Sequence, residues 1–174
     1  MRFFRTLLLV LLFFVSAFHA NSQSYVMKSV QIGDKAPDIV ENAVDGKPLK
    51  MSSLAGKIVL IDFWASWCRP CRNENPFVVT AYEKYKDASF IGGKGFTIFS
   101  VSLDKDPVAW KQAIQDDHLG WKSHVCPLNN TPEYIKIYEI RAIPSNFLID
   151  GNGVILATNL RGEALEQKLA SLKK

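Results

Sequence analysis

Two thiols separated by two residues, in Trp67-Cys68-Arg69-Pro70-Cys71, can close a small disulfide and open it again. Exchange of this kind needs one thiolate to attack and a second thiol to resolve the mixed disulfide. The pair directly follows the apolar run Ile58-Val59-Leu60-Ile61-Asp62-Phe63-Trp64, which places it at a strand-to-helix junction. A helix beginning around Cys68 would set that sulfur beside the first unpaired backbone N–H groups, at the positive end of the macrodipole. Such a setting lowers a cysteine pKa. Cys71 lies about one turn deeper. Cys68 is therefore assigned the attack and Cys71 the resolution. Pro70 suits a first helical turn, and Arg69 adds positive charge that favours the thiolate.

Two plainer readings compete: a structural disulfide, or half of a metal site. A zinc site of the usual kind needs two further ligands at recognisable spacing. Cys126 and the histidines His19, His118 and His124 supply no second pair, and His124-Val125-Cys126 stands alone as a half-site. Cys126 reads as a small buried hydrophobe; a second redox thiol and a dimer disulfide are its alternatives. Asp62 is the odd residue of its run, because an ionised carboxylate is expensive to bury unpaired. A raised pKa would let it exchange a proton with Cys71; a carboxylate satisfied by a lysine or the backbone is the plainer account. Trp64 and Trp67 read as packing for the site's floor and rim.

Residues 1–20 read as a secretory signal, with Arg2 and Arg5 ahead of an apolar stretch over residues 7–18. That stretch is short for a bilayer span of about 20 apolar residues, and an uncleaved N-terminal membrane anchor is the alternative. Export would place the dithiol in the periplasm or cell envelope, where disulfides persist. Without residues 1–20, 19 Lys and Arg face 17 Asp and Glu, a balance that predicts no nucleic-acid binding. Residues 21–31 form a loose lead-in, and residues 32–174 are long enough for one domain with a real core.

The elements that must position the thiols follow from local pattern. Asp45-Gly46-Lys47-Pro48 predicts a hairpin turn, and Ser52-Ser53-Leu54 a short helical turn. Residues 57–64 predict a buried strand, and residues 69–86 a helix with Phe77, Ala81 and Tyr85 on one face and a kink at Pro76. Residues 92–95 read as a loop, residues 96–103 as a strand, and residues 104–118 as a helix capped at Asp106-Pro107. Val125 falls in a loop or edge strand. Thr131 and Pro132 would start a short helix. Residues 146–157 form a hairpin around Asp150-Gly151-Asn152-Gly153, and residues 162–172 close the chain with Leu165, Leu169 and Leu172 on one face. The order implies an α/β fold with a parallel core and an antiparallel edge.

Gly33-Asp34-Lys35-Ala36-Pro37-Asp38, Leu54-Ala55-Gly56-Lys57, Asp62 through Cys71, Val101-Ser102-Leu103-Asp104 and Ile143-Pro144-Ser145-Asn146-Phe147-Leu148-Ile149-Asp150 together resemble the thioredoxin superfamily, and within it the exported TlpA/ResA-like branch. The resemblance covers nearly all of the mature chain. It implies a thioredoxin-like fold: a mixed central sheet flanked by helices, with an N-terminal β extension. It makes Ile143-Pro144 the cis-proline across from the dithiol, where the Ile143 backbone pairs with an extended substrate; Ser145 departs from the usual threonine. It places Asp62 at the family's buried carboxylate beneath the site. It matches Glu74 to an acidic position linked to thiol pKa control or substrate binding, against a plain solvated helix residue. Trp67, Arg69, Pro70, Ile143 and Pro144 would then contact substrate.

The implied activity is thiol–disulfide oxidoreduction, most simply disulfide reduction, with no cofactor beyond the redox-active Cys68–Cys71 pair. The implied partners are exported protein disulfides or apocytochrome c, with a membrane thiol reductant as electron source. A thiol peroxidase shares the Gly-Asp-Lys-Ala-Pro start but needs Pro-x-x-x-Thr-x-x-Cys, and Trp64-Ala65-Ser66-Trp67 precede Cys68 instead. A non-redox binding module of the same fold would have no reason to keep both cysteines.

Overall fold

A computed structural model of the chain describes residues 29–128 and 131–174. The signal or anchor expected over residues 1–20, and the lead-in as far as residue 28, lie outside the described residues. From residue 29 the chain runs along the sheet edge: the Gly33 N–H bonds the Ile155 carbonyl at 2.8 Å and the Ala36 N–H the Gly153 carbonyl at 2.8 Å. Strands β1 (Val40–Asn42) and β2 (Pro48–Lys50) pair antiparallel around the expected turn, and a 3-10 turn follows over Met51–Leu54. This is the N-terminal β extension.

The central sheet has the order β7-β6-β3-β8-β9, where β3 is Ile58–Trp64, β6 Phe96–Ser102, β7 His124–Val125, β8 Ser145–Ile149 and β9 Ile155–Thr158. β3, β6 and β7 run parallel, while β8 and β9 are antiparallel to their neighbours. All seven residues of β3 are buried, as expected for a strand covered on both faces. Side chains alternate between faces. Ile58, Leu60 and Trp64 join one cluster with Val78, Ala81, Trp110, Leu165 and Leu169. Val59, Ile61 and Phe63 join another with Ile39, Met51, Tyr134 and Tyr138. Asp62 belongs by parity to the first face, the one that helix α1 (Arg69–Tyr85) covers.

Several local expectations needed correction. The buried stripe of α1 is Cys71, Asn75, Val78, Ala81 and Tyr85, so Ala81 and Tyr85 face inward as expected while Val78, rather than the exposed Phe77, continues their face. Pro76 falls inside α1, where the sequence places it. Gly93–Lys94 (β5) is no mere loop: it pairs with Ser89–Phe90 (β4). Helix α2 spans Pro107–Asp116 with Asp106 as its cap, the carboxylate accepting from Val108 N–H at 2.8 Å. Asp104, expected inside that helix, precedes it because the cap is two residues later. Helix α3 spans Glu133–Ile137 with Pro132, rather than Thr131, in the cap position. Helix α4 (Glu163–Leu172) packs Leu165 and Leu169 inward.

Candidate active site

β3 ends at Trp64, and its last carbonyl accepts from the Leu103 N–H at 2.8 Å, tying the strand exit to the end of β6. The chain turns through Ala65-Ser66-Trp67 and enters α1 with Cys68 as the cap residue. Cys68 and Cys71 are disulfide-bonded. The Cys71 N–H donates to Cys68 Sγ at 3.2 Å, one of the free amide donors that a helix start provides. Arg69 and Pro70 occupy the first turn and are exposed, and Trp67 is 67% exposed beside them. Trp64 is buried, so the two tryptophans divide as floor and rim.

The Ile143–Pro144 bond is cis. Pro144 and Cys71 line one small cavity with Asp62, Glu74, Asn146 and Arg161. Its free volume of about 10 Å³ is at the lower limit for a single water. Asp62 is buried, and burial pushes its carboxyl up to about 7; Arg161 pulls it down and Glu74 pushes it further up. No lysine stands beside it among the described residues lining this cavity. Glu74 is half-buried rather than solvated, and its Oε2 accepts the Gly162 N–H at 2.8 Å. The predicted residues therefore divide into a buried set (Asp62, Cys68, Cys71) and an exposed rim (Trp67, Arg69, Pro70), with Glu74 and Pro144 half-buried between them.

Four site-building residues escaped the sequence reading. Asp104 is buried and accepts from Ser66 N–H at 2.9 Å, Ser66 Oγ at 2.6 Å and Ser102 Oγ at 2.6 Å, which anchors the turn two residues before Cys68. Arg72 donates to the Ser66 carbonyl at 3.2 Å and forks onto Asp117, with its Nη2 at 2.7 Å from Oδ1. Asn146 and Arg161 organise the chain after β9. Asp104 and Asn146 lie within the matched segments Val101–Asp104 and Ile143–Asp150, while Arg72 and Arg161 depend on contacts distant in sequence.

Cys126 is buried, and its thiol, pushed up to about 11 by burial, donates to the Asp104 carbonyl at 3.2 Å. His124 is buried and pushed down to about 4, chiefly by desolvation, with Nε2 at 3.1 Å from the Leu119 carbonyl. Among the described residues no group of three or more His, Cys, Asp or Glu is arranged to hold a metal.

A Redoxin family model matches residues 31–173. The chain belongs to the Redoxin family. It is a ResA-like thiol–disulfide oxidoreductase of the thioredoxin superfamily, with Cys68–Cys71 as its CxxC pair. The thiol-disulfide oxidoreductase ResA of Bacillus anthracis is 30% identical over 172 residues, 98% of this chain and 94% of that protein. The thioredoxin domain of a thiol-disulfide oxidoreductase from Bacteroides vulgatus superposes with a TM-score of 0.74 at 33% identity, covering 82% of this chain and 98% of that one. A thiol:disulfide interchange protein from a Bacteroides species does so with a TM-score of 0.71 at 33% identity, covering 83% and 91%. The fold and enzyme class expected from the sequence are both borne out.

Proposed function

We propose that this enzyme is a cell-envelope disulfide reductase in which Cys68 attacks and Cys71 resolves. The observation that carries the reading is the seating of the Cys68–Cys71 pair over a buried carboxyl, with Asp62 and Cys71 lining the same cavity. In the reduced enzyme the α1 amides and dipole favour the Cys68 thiolate. That thiolate attacks one sulfur of a substrate disulfide, and the other sulfur leaves as a thiolate that takes a proton. Asp62, as carboxylate, accepts the Cys71 thiol proton. The Cys71 sulfur then bonds to Cys68 Sγ, the bond from Cys68 to substrate breaks, and the second substrate thiol departs. Two electrons have passed to the substrate, and an external dithiol must return them.

Trp67, Arg69 and Pro70 form the exposed rim that a substrate chain would cross, and Ile143-Pro144 offers backbone for it to pair with. Burial raises the Asp62 carboxyl, and Glu74, in the same cavity, adds to that upward push. The apolar stretch and basic start of residues 1–20 support export or anchoring, and exported protein disulfides, apocytochrome c among them, are the substrate class that follows. A membrane thiol reductant would supply the electrons. No cofactor is needed.

Cys71→Ser tests this directly in the native envelope. With resolution blocked, Cys68 should accumulate mixed disulfides, and mass spectrometry of the trapped partners should return apocytochrome c or other exported cysteine proteins. Trapping of nothing, with the wild-type pair inert to dithiothreitol, would make the pair a structural disulfide.

A further inference from the structure

The charge around Asp62 has an unusual source. Its partners across the sheet are uncharged: Ser100 on β6 and Asn146 on β8 stand opposite it. α1 contributes Glu74 and Cys71 to the same cavity. Arg161, in the loop between β9 and α4, is the one cation among the described residues lining the cavity that holds Asp62, and its charge favours the ionised carboxyl.

That loop is built to hold Arg161 in place. Asn146 is buried, with Oδ1 accepting the Leu160 N–H at 2.9 Å and Nδ2 donating to the Leu160 carbonyl at 2.8 Å. Both backbone groups of Leu160 are thus fixed by the residue facing Asp62. Arg161 Nη1 then donates to the Leu160 carbonyl at 2.8 Å, and Nη2 donates to the Pro144 carbonyl. Gly162, at φ 51, turns its N–H onto Glu74; the left-handed φ is one that a side chain would resist. Three successive residues therefore join β8, the Pro144 loop and α1.

We propose that Arg161 is a positioning residue for the resolving step: clamped by Asn146, its guanidinium holds the Pro144 carbonyl and supplies the positive charge that lets Asp62 ionise beneath Cys71. This rests on Asp62 being the proton acceptor for Cys71. The carboxylate can take the Cys71 proton only when ionised. An opposite charge favours that form and a like charge opposes it. Burial raises the pH at which Cys71 becomes competent to form the Cys68–Cys71 bond and expel the substrate thiolate, and Arg161 and Glu74 move it from opposite sides.

The test is the pH profile of resolution, read as release of the second chromogenic thiol when reduced enzyme meets an aromatic disulfide. The wild-type rate should rise through a midpoint that Asp62→Asn removes. Arg161→Gln should move that midpoint up by about one pH unit or more. Arg161→Lys, which keeps the charge, should return it towards the wild-type value, and Arg161→Gln added to Asp62→Asn should shift nothing. An unmoved midpoint in Arg161→Gln, with Asp62→Asn still abolishing it, overturns the role of Arg161 and leaves the Asp62 mechanism standing. An Asp62→Asn profile identical to wild type overturns the mechanism itself, and Arg161 with it. Should Arg161→Gln not fold, Asn146→Ala, which unseats the guanidinium, must raise the midpoint; no change there overturns the proposal equally.

Discussion

Burial of the Asp62 carboxyl raises it from 3.8 to about 7, so between those values the folded chain binds a proton that the unfolded chain has released. Its contribution to stability is present below about pH 4 and is lost as pH rises through 7, at about 1.4 kcal/mol per pH unit. His124 does the reverse. Lowered from 6.5 to about 4, it contributes stability above 6.5 that is lost as pH falls through 4. The two slopes oppose each other over pH 4.5–6. Asp62→Asn should unmask the His124 slope, so urea midpoints of the variant should rise with pH in that window more steeply than those of wild type. Parallel pH dependences in the two proteins would mean that the Asp62 carboxyl is not shifted. The dithiol was legible from spacing alone, and the oddity of a carboxylate in an apolar strand pointed to Asp62. Nothing in the sequence says that Arg161, 99 positions later, supplies its counter-charge.

At the scale of elements, the turn between β3 and α1 is held less by its own residues than by the segments on either side of α2. Asp104 takes three donors from Ser66 and Ser102. Asp117, in the cap after α2, takes Arg72 and the Asn75 amide, at 2.6 Å from Nδ2. Asp104→Ala strands the Ser66 amide and two hydroxyls. Hydrogen bonds to a charged group are worth about 1.5–3 kcal/mol each, so the variant should lose about 3 kcal/mol or more of stability. Its Ser66 amide should exchange with solvent much faster by NMR; unchanged protection there would contradict the anchoring role. The Asp106-Pro107 cap is legible in the sequence, but the role of Asp104 is not, because its donors come from Ser66 and from the end of β6. The hairpins, by contrast, were legible because Asp-Gly turns specify backbone shape locally.

For the molecule as a whole, the sheet carries two apolar faces, and each is covered by a different part of the chain. α1, α2 and α4 close one, while residues 36–54 and α3 close the other. Leu60 and Ile61 are fully buried neighbours that point to opposite faces. Leu60→Ala and Ile61→Ala should each cost about 2–5 kcal/mol in urea denaturation; a loss near zero for Ile61→Ala would mean that the N-terminal extension is not part of the cooperative core. The parallel core and antiparallel edge could be read from element order, because parallel strands need a helical crossover and hairpins do not; the strand order itself, with β3 between β6 and β8, could not. The pairing of residues 33–36 with β9 could not, since it joins the two ends of the domain.

The most direct test of the account is which sulfur attacks. Reduced Cys71→Ser and Cys68→Ser proteins are mixed with an aromatic disulfide at neutral pH, and thiol release is followed by stopped flow, with the adduct mapped by mass spectrometry. Cys71→Ser should release one equivalent rapidly and keep a stable adduct on Cys68. Cys68→Ser should react far more slowly, and wild type should release two equivalents and end as the Cys68–Cys71 disulfide. Faster reaction at Cys71 in Cys68→Ser, or an adduct on Cys71 in the first seconds of the wild-type reaction, would contradict it.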